Sequence, residues 1–286
     1  MEYSNPKIPE GINTSEESPL KEFFILTSGL VLVVVLVVSL VVYLVDIFAD
    51  RIPFEWEKNI PVNMLLDDKA NDDQPLYLQN VSKRIVNTMS LPDGMDITVH
   101  YINDDTVNAF ATLGGHIVLF RGLLEKLKYE DELAMIISHE VAHIENRHPI
   151  HSVSQALIVG LILSAITSSE DIVSGLVGSS SMLTMMSFSR EYEYESDAKA
   201  VKTLISLYGH AEGARGLFNI FKRESEQSQP VEFLNTHPLT TNRILKAESI
   251  ASQLRDNNTT DNVHHGMTPL PKEFINWLQY EASSDK

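Results

Sequence analysis

Asp131-Glu132-Leu133-Ala134-Met135-Ile136-Ile137-Ser138-His139-Glu140-Val141-Ala142-His143-Ile144 is the stretch on which the reading of this chain turns. It holds no Gly or Pro, and Leu133, Ile136, Ile137, Val141 and Ile144 recur at helical spacing. Acidic residues at 130–132 suit a helix N-terminus, and Arg147 and His148 suit its C-terminus ahead of Pro149. The spacing predicts a helix whose apolar side is packed into a core, with the histidines held rigidly at its boundary. Residues four apart on such a helix lie about 40° apart around the axis and about 6 Å along it. His139 and His143 can therefore grip one zinc ion from one face. Glu140, about 100° round from His139, can lie beside the metal without being a ligand. There it can take a proton from the attacking water and hand it to a leaving amine, the general-base role in metal-assisted peptide hydrolysis.

Zinc catalysis needs a third protein ligand and an open position. About fifty residues on, Ser189-Arg190-Glu191-Tyr192-Glu193-Tyr194-Glu195-Ser196-Asp197-Ala198 opens another predicted helix. Glu193 and Asp197, four apart, share a face. Glu193 could be the third ligand, with Asp197 accepting the other N–H of a ligand histidine. Spacing alone leaves Glu191 and Glu195 as competitors.

SHEVAH, SREYEYESD with its ExxxD core, Asn235-Thr236-His237-Pro238 and Asn108-Ala109-Phe110-Ala111-Thr112-Leu113-Gly114-Gly115-His116-Ile117 occur in that family's order across roughly residues 76 to 250 of a chain that resembles the membrane-associated zinc peptidases related to HtpX, BepA, the mitochondrial OMA protease and the CaaX prenyl endopeptidases. The resemblance implies one Zn2+ per chain on His139, His143 and Glu193, with Glu140 as general base. It implies that Asp197 supports a ligand histidine, that His237 faces the substrate carbonyl and steadies the oxyanion, and that Arg243 lies near the site. It places Asn108, Ala109, Phe110, Gly114 and Gly115 against the substrate. Two departures, Leu113 where the family often has Pro and Ser196 where it usually has Ala, remove no catalytic group.

Ile97–Ile102 and His116–Phe120 are β-rich runs, so residues 108–119 read as strand, Gly-Gly turn, strand. A strand beside the zinc helix offers an edge to which an extended peptide can add through main-chain hydrogen bonds. That mode reads backbone more than side chain and implies unfolded or misfolded protein as substrate. The predicted class is mainly α with a small β-sheet (α+β), a zincin-like metallopeptidase domain behind one N-terminal transmembrane helix.

Phe23 to Val45 carries no charge and is flanked by Glu22 and Asp46. As a helix it spans about 35 Å, enough for a bilayer core. The apolar run is too long, and its leader too acidic, for a cleaved signal peptide. Lys7 and Lys21 before the run balance Arg51 and Lys58 after it, so the positive-inside rule does not orient the chain. A short tail ahead of the anchor, and the resemblance, place the domain on the non-cytoplasmic side of the cell (inner) membrane. The expected organisation is a tail at 1–22, the membrane helix at 23–45, an Asp- and Pro-rich juxtamembrane linker at 46–75, the peptidase domain at 76–255 and a C-terminal extension at 256–286.

Gln155–Thr167 and Ile172–Phe188 are two short apolar stretches, read as buried or lid-like helices that could gate the cleft. His148 and His151 read as helix-terminal or surface residues. Gln74–Met89 reads as an amphipathic helix, and Pro271–Tyr280 as a terminal one anchored by Phe274 and Trp277. A net charge of −17, from 39 acidic against 22 basic residues, argues against nucleic acid as a partner. With no cysteine, zinc chemistry falls to His and carboxylate. Rival readings are a non-catalytic chaperone or adaptor on the same scaffold, and a prenyl-protein endopeptidase of the CaaX type.

Overall fold

The computed structural model describes residues 18–49, 51–60, 70–71, 75–167, 188–226, 231–257 and 266–284. The chain forms two units, Met1–Leu44 and Val45–Lys286. The first is dominated by helix α1 (Pro19–Ala49), which is long and apolar enough to cross a membrane. Large apolar residues along it, such as Phe24, Leu32 and Leu40, are more than half exposed. Exposure on that scale suits lipid rather than water.

In the second unit the elements follow in the order α2 (Phe54–Lys58), β1 (Ala70–Asn71), α3 (Leu76–Met89), β2 (Thr98–Ile102), β3 (Ala109–Thr112), β4 (His116–Phe120), α4 (Arg121–Leu124), α5 (Glu130–Glu145), α6 (His148–Thr167), α7 (Arg190–Tyr208), α8 (Glu212–Glu226), α9 (Phe233–Thr236), α10 (Thr241–Asn257) and α11 (Lys272–Ser284). A 3₁₀ turn, Leu113–Gly115, joins β3 to β4. The sheet runs β1-β2-β4-β3 and is mixed, with β2 parallel to β4 and β3 antiparallel to it. β3 is thus an outer strand.

Period-two alternation sorts the strand residues between two cores. Val99, Tyr101, Ala109, Ala111, Ile117 and Leu119 join the main core, while Phe110 and Val118 face a smaller cluster with Ala49, Ile150 and Val153. The main core surrounds α5, which packs on α3, α7, α8 and β3. Every residue of α5 from Glu130 to Ile144 is buried. The sequence predicts one apolar side; in the fold the helix is wrapped all round, so the histidines lie at the centre of the unit and not at a boundary.

Three further elements bear on the sequence reading. The stretch 46–75, read as a linker, contains the tail of α1 and the helix α2, with Ala49, Phe54 and Glu57 buried. α3 forms where Gln74–Met89 was expected, burying Leu78, Val81 and Ile85. α11 buries Phe274 and Leu278, with Trp277 packed beside Tyr101. The lid expected at Ile172–Phe188 lies outside the described residues except for Phe188 itself.

Candidate active site

α5 presents His139 and His143 from one face, α7 presents Glu193, and His237 follows the short helix α9. One ligand atom from each of the four falls within 4.8 Å of the others, and all four residues are buried. His139 Nε2 lies 3.0 Å from His143 Nε2, and Glu193 Oε1 lies 3.3 Å from His143 Nε2. Glu193 Oε2 is 3.6 Å from His139 Nε2. The competing carboxylates of the same helix, Glu191 and Glu195, are exposed. Burial singles out Glu193, which spacing alone did not.

Each ligand is held from behind. Asp197 Oδ1 lies 3.1 Å from His139 Nδ1, and Asp197 is itself gripped by Arg243 through Nε and Nη2 at 2.7 and 2.8 Å. Arg243 Nη1 reaches Glu193 Oε2 at 2.5 Å and donates to the carbonyl of His237 at 3.3 Å. The guanidinium thus ties α10 to Glu193 and Asp197 of α7 and to the loop carrying His237. On the other side, His148 Nδ1 sits 3.0 Å from His143 Nδ1, its ring stacked on Tyr192 at 3.9 Å between centroids. The sequence reads His148 as helix-terminal, which it is, but not as buried against His143. The available signal was Pro149, which is acceptable in the first turn of a new helix and so starts α6 at His148.

This arrangement fits a metal ion. The Asp197 carboxylate only accepts hydrogen bonds, so His139 Nδ1 carries a proton toward it and, in the neutral ring, Nε2 is a bare lone pair. That lone pair faces the Nε2 of His143 at close range, a contact that a cation between them would relieve. The donor set of imidazoles and carboxylate suits zinc. The same electrostatics appear in the protonation equilibria. Burial opposes charge on His139, but Asp197 and Glu193 outweigh it and push its pKa up to about 10. Burial pulls His143 well below the usual imidazole range and His148 down to about 3. Glu193 and Asp197 titrate below ordinary carboxylates despite burial, Glu193 through the three histidines and Asp197 through Arg243 and His139.

Glu140 is fully buried, its two carboxylate oxygens have no hydrogen-bond partner among the described residues, and His237 Nε2 is 3.6 Å away. Burial raises its pKa, against the pull of His237 and His139. A carboxylate so placed is primed to take up a proton. Phe188 lies against the cluster, its ring 4.0 Å from that of His143, and Phe233 stacks on His237 at 4.3 Å. Beside His139, His237 and Arg243 a cavity of about 10 Å³ has room for roughly one water. The clustered side chains are buried.

The upstream residues lie along β3, which packs against α5, and on the turn that follows it. Asn108 and Ala109 are buried at the start of β3. Phe110 turns into the smaller core. Gly114 and Gly115 pack against Glu57, Phe54 and Asp96. What β3 shares with the site is its backbone, on the outer edge beside α5.

Comparison with known proteins agrees with this geometry. The profile described as Peptidase family M48 matches residues 72–251. The chain is 28% identical over 208 residues to the mitochondrial metalloendopeptidase OMA1 of Schizosaccharomyces pombe, covering 71% of this chain and 61% of that protein. To the beta-barrel assembly-enhancing protease of Escherichia coli K12 it is 28% identical over 196 residues, 63% of this chain and 40% of that protein. To the Saccharomyces cerevisiae OMA1 it is 30% identical over 165 residues, 54% and 47% of the two chains. The chain therefore spans between 40% and 61% of the length of these relatives.

Proposed function

Because this chain belongs to peptidase family M48, we propose that it is a zinc-dependent endopeptidase, held at a lipid bilayer by residues 23–45, that hydrolyses peptide bonds in misfolded or unassembled membrane and envelope proteins. The observation that carries the reading is the convergence of His139, His143, Glu193 and His237 within 4.8 Å, with Glu140 buried and unpartnered beside them.

His139, His143 and Glu193 would hold one zinc ion, which when bound supplies a Lewis acid for the scissile carbonyl. Glu140 takes the proton of the attacking water and delivers it to the leaving amine. Its raised pKa brings it nearer to neutrality, where a general base works best. His237 stands within reach of Glu140 and donates to the oxyanion that develops on the carbonyl. Asp197 and Arg243 hold His139 and Glu193 in place. The outer edge of β3 accepts the peptide as an added strand, which favours extended, unfolded substrates. The resemblance favours the non-cytoplasmic face of the membrane for the domain.

Two rivals fare less well. A chaperone has no use for a buried carboxylate kept without hydrogen bonds. A prenyl-protein endopeptidase normally goes with several membrane spans, and among the described residues one helix is long and apolar enough. The direct test is cleavage of casein by the full chain in detergent, with and without a chelator and beside Glu140→Gln. Cleavage that needs both metal and Glu140 supports the peptidase. Zinc binding with no cleavage favours the chaperone, and no zinc binding overturns the site.

A further inference from the structure

Helix α2 is a short element in a stretch whose composition reads as linker, yet its inner face is as buried as the core. Phe54 and Glu57 are 9% and 4% exposed, while Trp56 on the other face is 68% exposed. The Glu57 carboxylate makes two contacts with parts of the molecule far apart in sequence. Its Oε2 accepts a hydrogen bond from the Gly114 N–H at 3.3 Å, in the turn that ends β3. Its Oε1 lies 2.6 Å from Arg147 Nη2, just past the end of the HExxH helix α5. The same Arg147 nitrogen donates to the carbonyl of Ile52 at 2.7 Å, and its guanidinium lies over the Phe54 ring, 5.4 Å from the centroid.

Both ends of this connection are shaped for it. Gly114 and Gly115 have φ of 75° and 85°. A Cβ on Gly114 would fall 2.9 Å from the Glu57 carbonyl oxygen, and one on Gly115 would fall 2.0 Å from the Asp96 carbonyl oxygen and 3.3 Å from the Phe54 ring. The glycine pair thus lets α2 approach closely as well as forming the turn. Arg147 is in the left-handed region at φ 63°, a conformation that costs energy for a side-chain-bearing residue and is held here by its contacts. That backbone reversal also sets His148 against His143.

We infer that α2 is a working part of the active site, with Glu57 a positioning residue whose carboxylate fixes the outer strand β3 and the C-terminal end of the ligand helix relative to each other. A peptide added to β3 must present its scissile bond to the ligands on α5. The Glu57 link sets that register. The consequence for catalysis rests on the peptidase reading; the link itself does not.

The test uses the full chain in detergent and the isosteric Glu57→Gln, which replaces a charged acceptor with an amide. Amide hydrogen exchange at Gly114 should quicken about tenfold while exchange at Phe218 in α8 stays unchanged. For a peptide of about ten residues, long enough to pair along β3, KM should rise about tenfold with kcat nearly constant. A peptide of about four residues should be cleaved within about twofold of wild type. Equal loss on both peptides through kcat, or no change in Gly114 exchange, overturns the proposal, because general destabilisation lowers the active fraction without sorting substrates by length. Arg147→Lys, which keeps the charge and the backbone geometry, is read in the same way should Glu57→Gln not fold. Should wild type cleave neither peptide, the peptidase reading fails, and Gly114 exchange still decides the link.

Discussion

The two ends of α5 each bury a carboxylate, and the environments are opposite. At the N-terminal end, Glu130 accepts hydrogen bonds from Tyr77 at 2.8 Å and Tyr208 at 3.0 Å and pairs with Arg84. These partners come from α3 and α7 and clamp both to the first turn of α5. At the other end, Glu140 has neither oxygen hydrogen-bonded among the described residues. Burial tends to raise both pKa values. At Glu130 the bonds from Arg84 and Tyr77 win and the value falls below the ordinary carboxylate range; at Glu140 burial wins and the value rises. A fully satisfied buried charge holds the fold together. An unsatisfied one marks where the fold gives up stability to keep a group reactive.

Glu140→Gln breaks the functional end and should have the largest effect. Activity should fall about 10²- to 10⁴-fold with metal binding retained, measured by peptide turnover and metal content. The same substitution should raise the thermal midpoint of the metal-stripped protein. With its folded pKa raised, ionised Glu140 opposes folding at neutral pH, and that penalty disappears as pH falls below the ordinary carboxylate value.

Asp197→Asn keeps the shape of the site but removes the charge between His139 and Arg243. Zinc affinity should fall about 10- to 100-fold in a competition titration with a chromophoric chelator. At the structural end, Glu130→Gln should cost about 2 kcal/mol in urea unfolding at pH 7, with turnover nearly unchanged. Its sign with pH is opposite to that at Glu140. A depressed folded pKa means that the contribution of Glu130 is full above the unfolded value of about 4.3 and is lost as pH falls through the lower folded value, so variant and wild type should converge in acid. The smallest effect should come from Arg215→Gln. Its contacts to Glu212 and Glu248 are long and exposed, so stability should move by less than about 0.5 kcal/mol.

The same contrast explains what could be read in advance. α5 was legible because sixteen residues give periodicity room to show. HExxH then fixed three residues through helix geometry alone. Spacing offered Glu193 and Asp197 beside the competitors Glu191 and Glu195, the resemblance chose among them and added Arg243, and all three chosen residues are buried. α2 was not legible. Five residues are too few for a periodic signal, and Asp- and Pro-rich surroundings resemble linker. Its buried face is created by partners at 114 and 147. His148 reads as helix-terminal and does open α6; what the sequence does not show is its burial against His143, which follows from the reversal at Arg147. His237 was expected to face substrate. It also stands among the ligand atoms, with Nδ1 3.0 Å from Glu193 Oε1.

The four converging side chains come from positions as far as 98 residues apart. Arg243, which ties Glu193 and Asp197 together, is later still. A chain emerging from the ribosome therefore carries the complete HExxH motif long before it carries a complete site. Domains fold as units during synthesis, so His139 and His143 gain Glu193, His237 and the Arg243 clamp only once those later residues have been made. The order of the residues along the chain thus sets when the cluster can form: not before His237 has been made, and not with its clamp before Arg243.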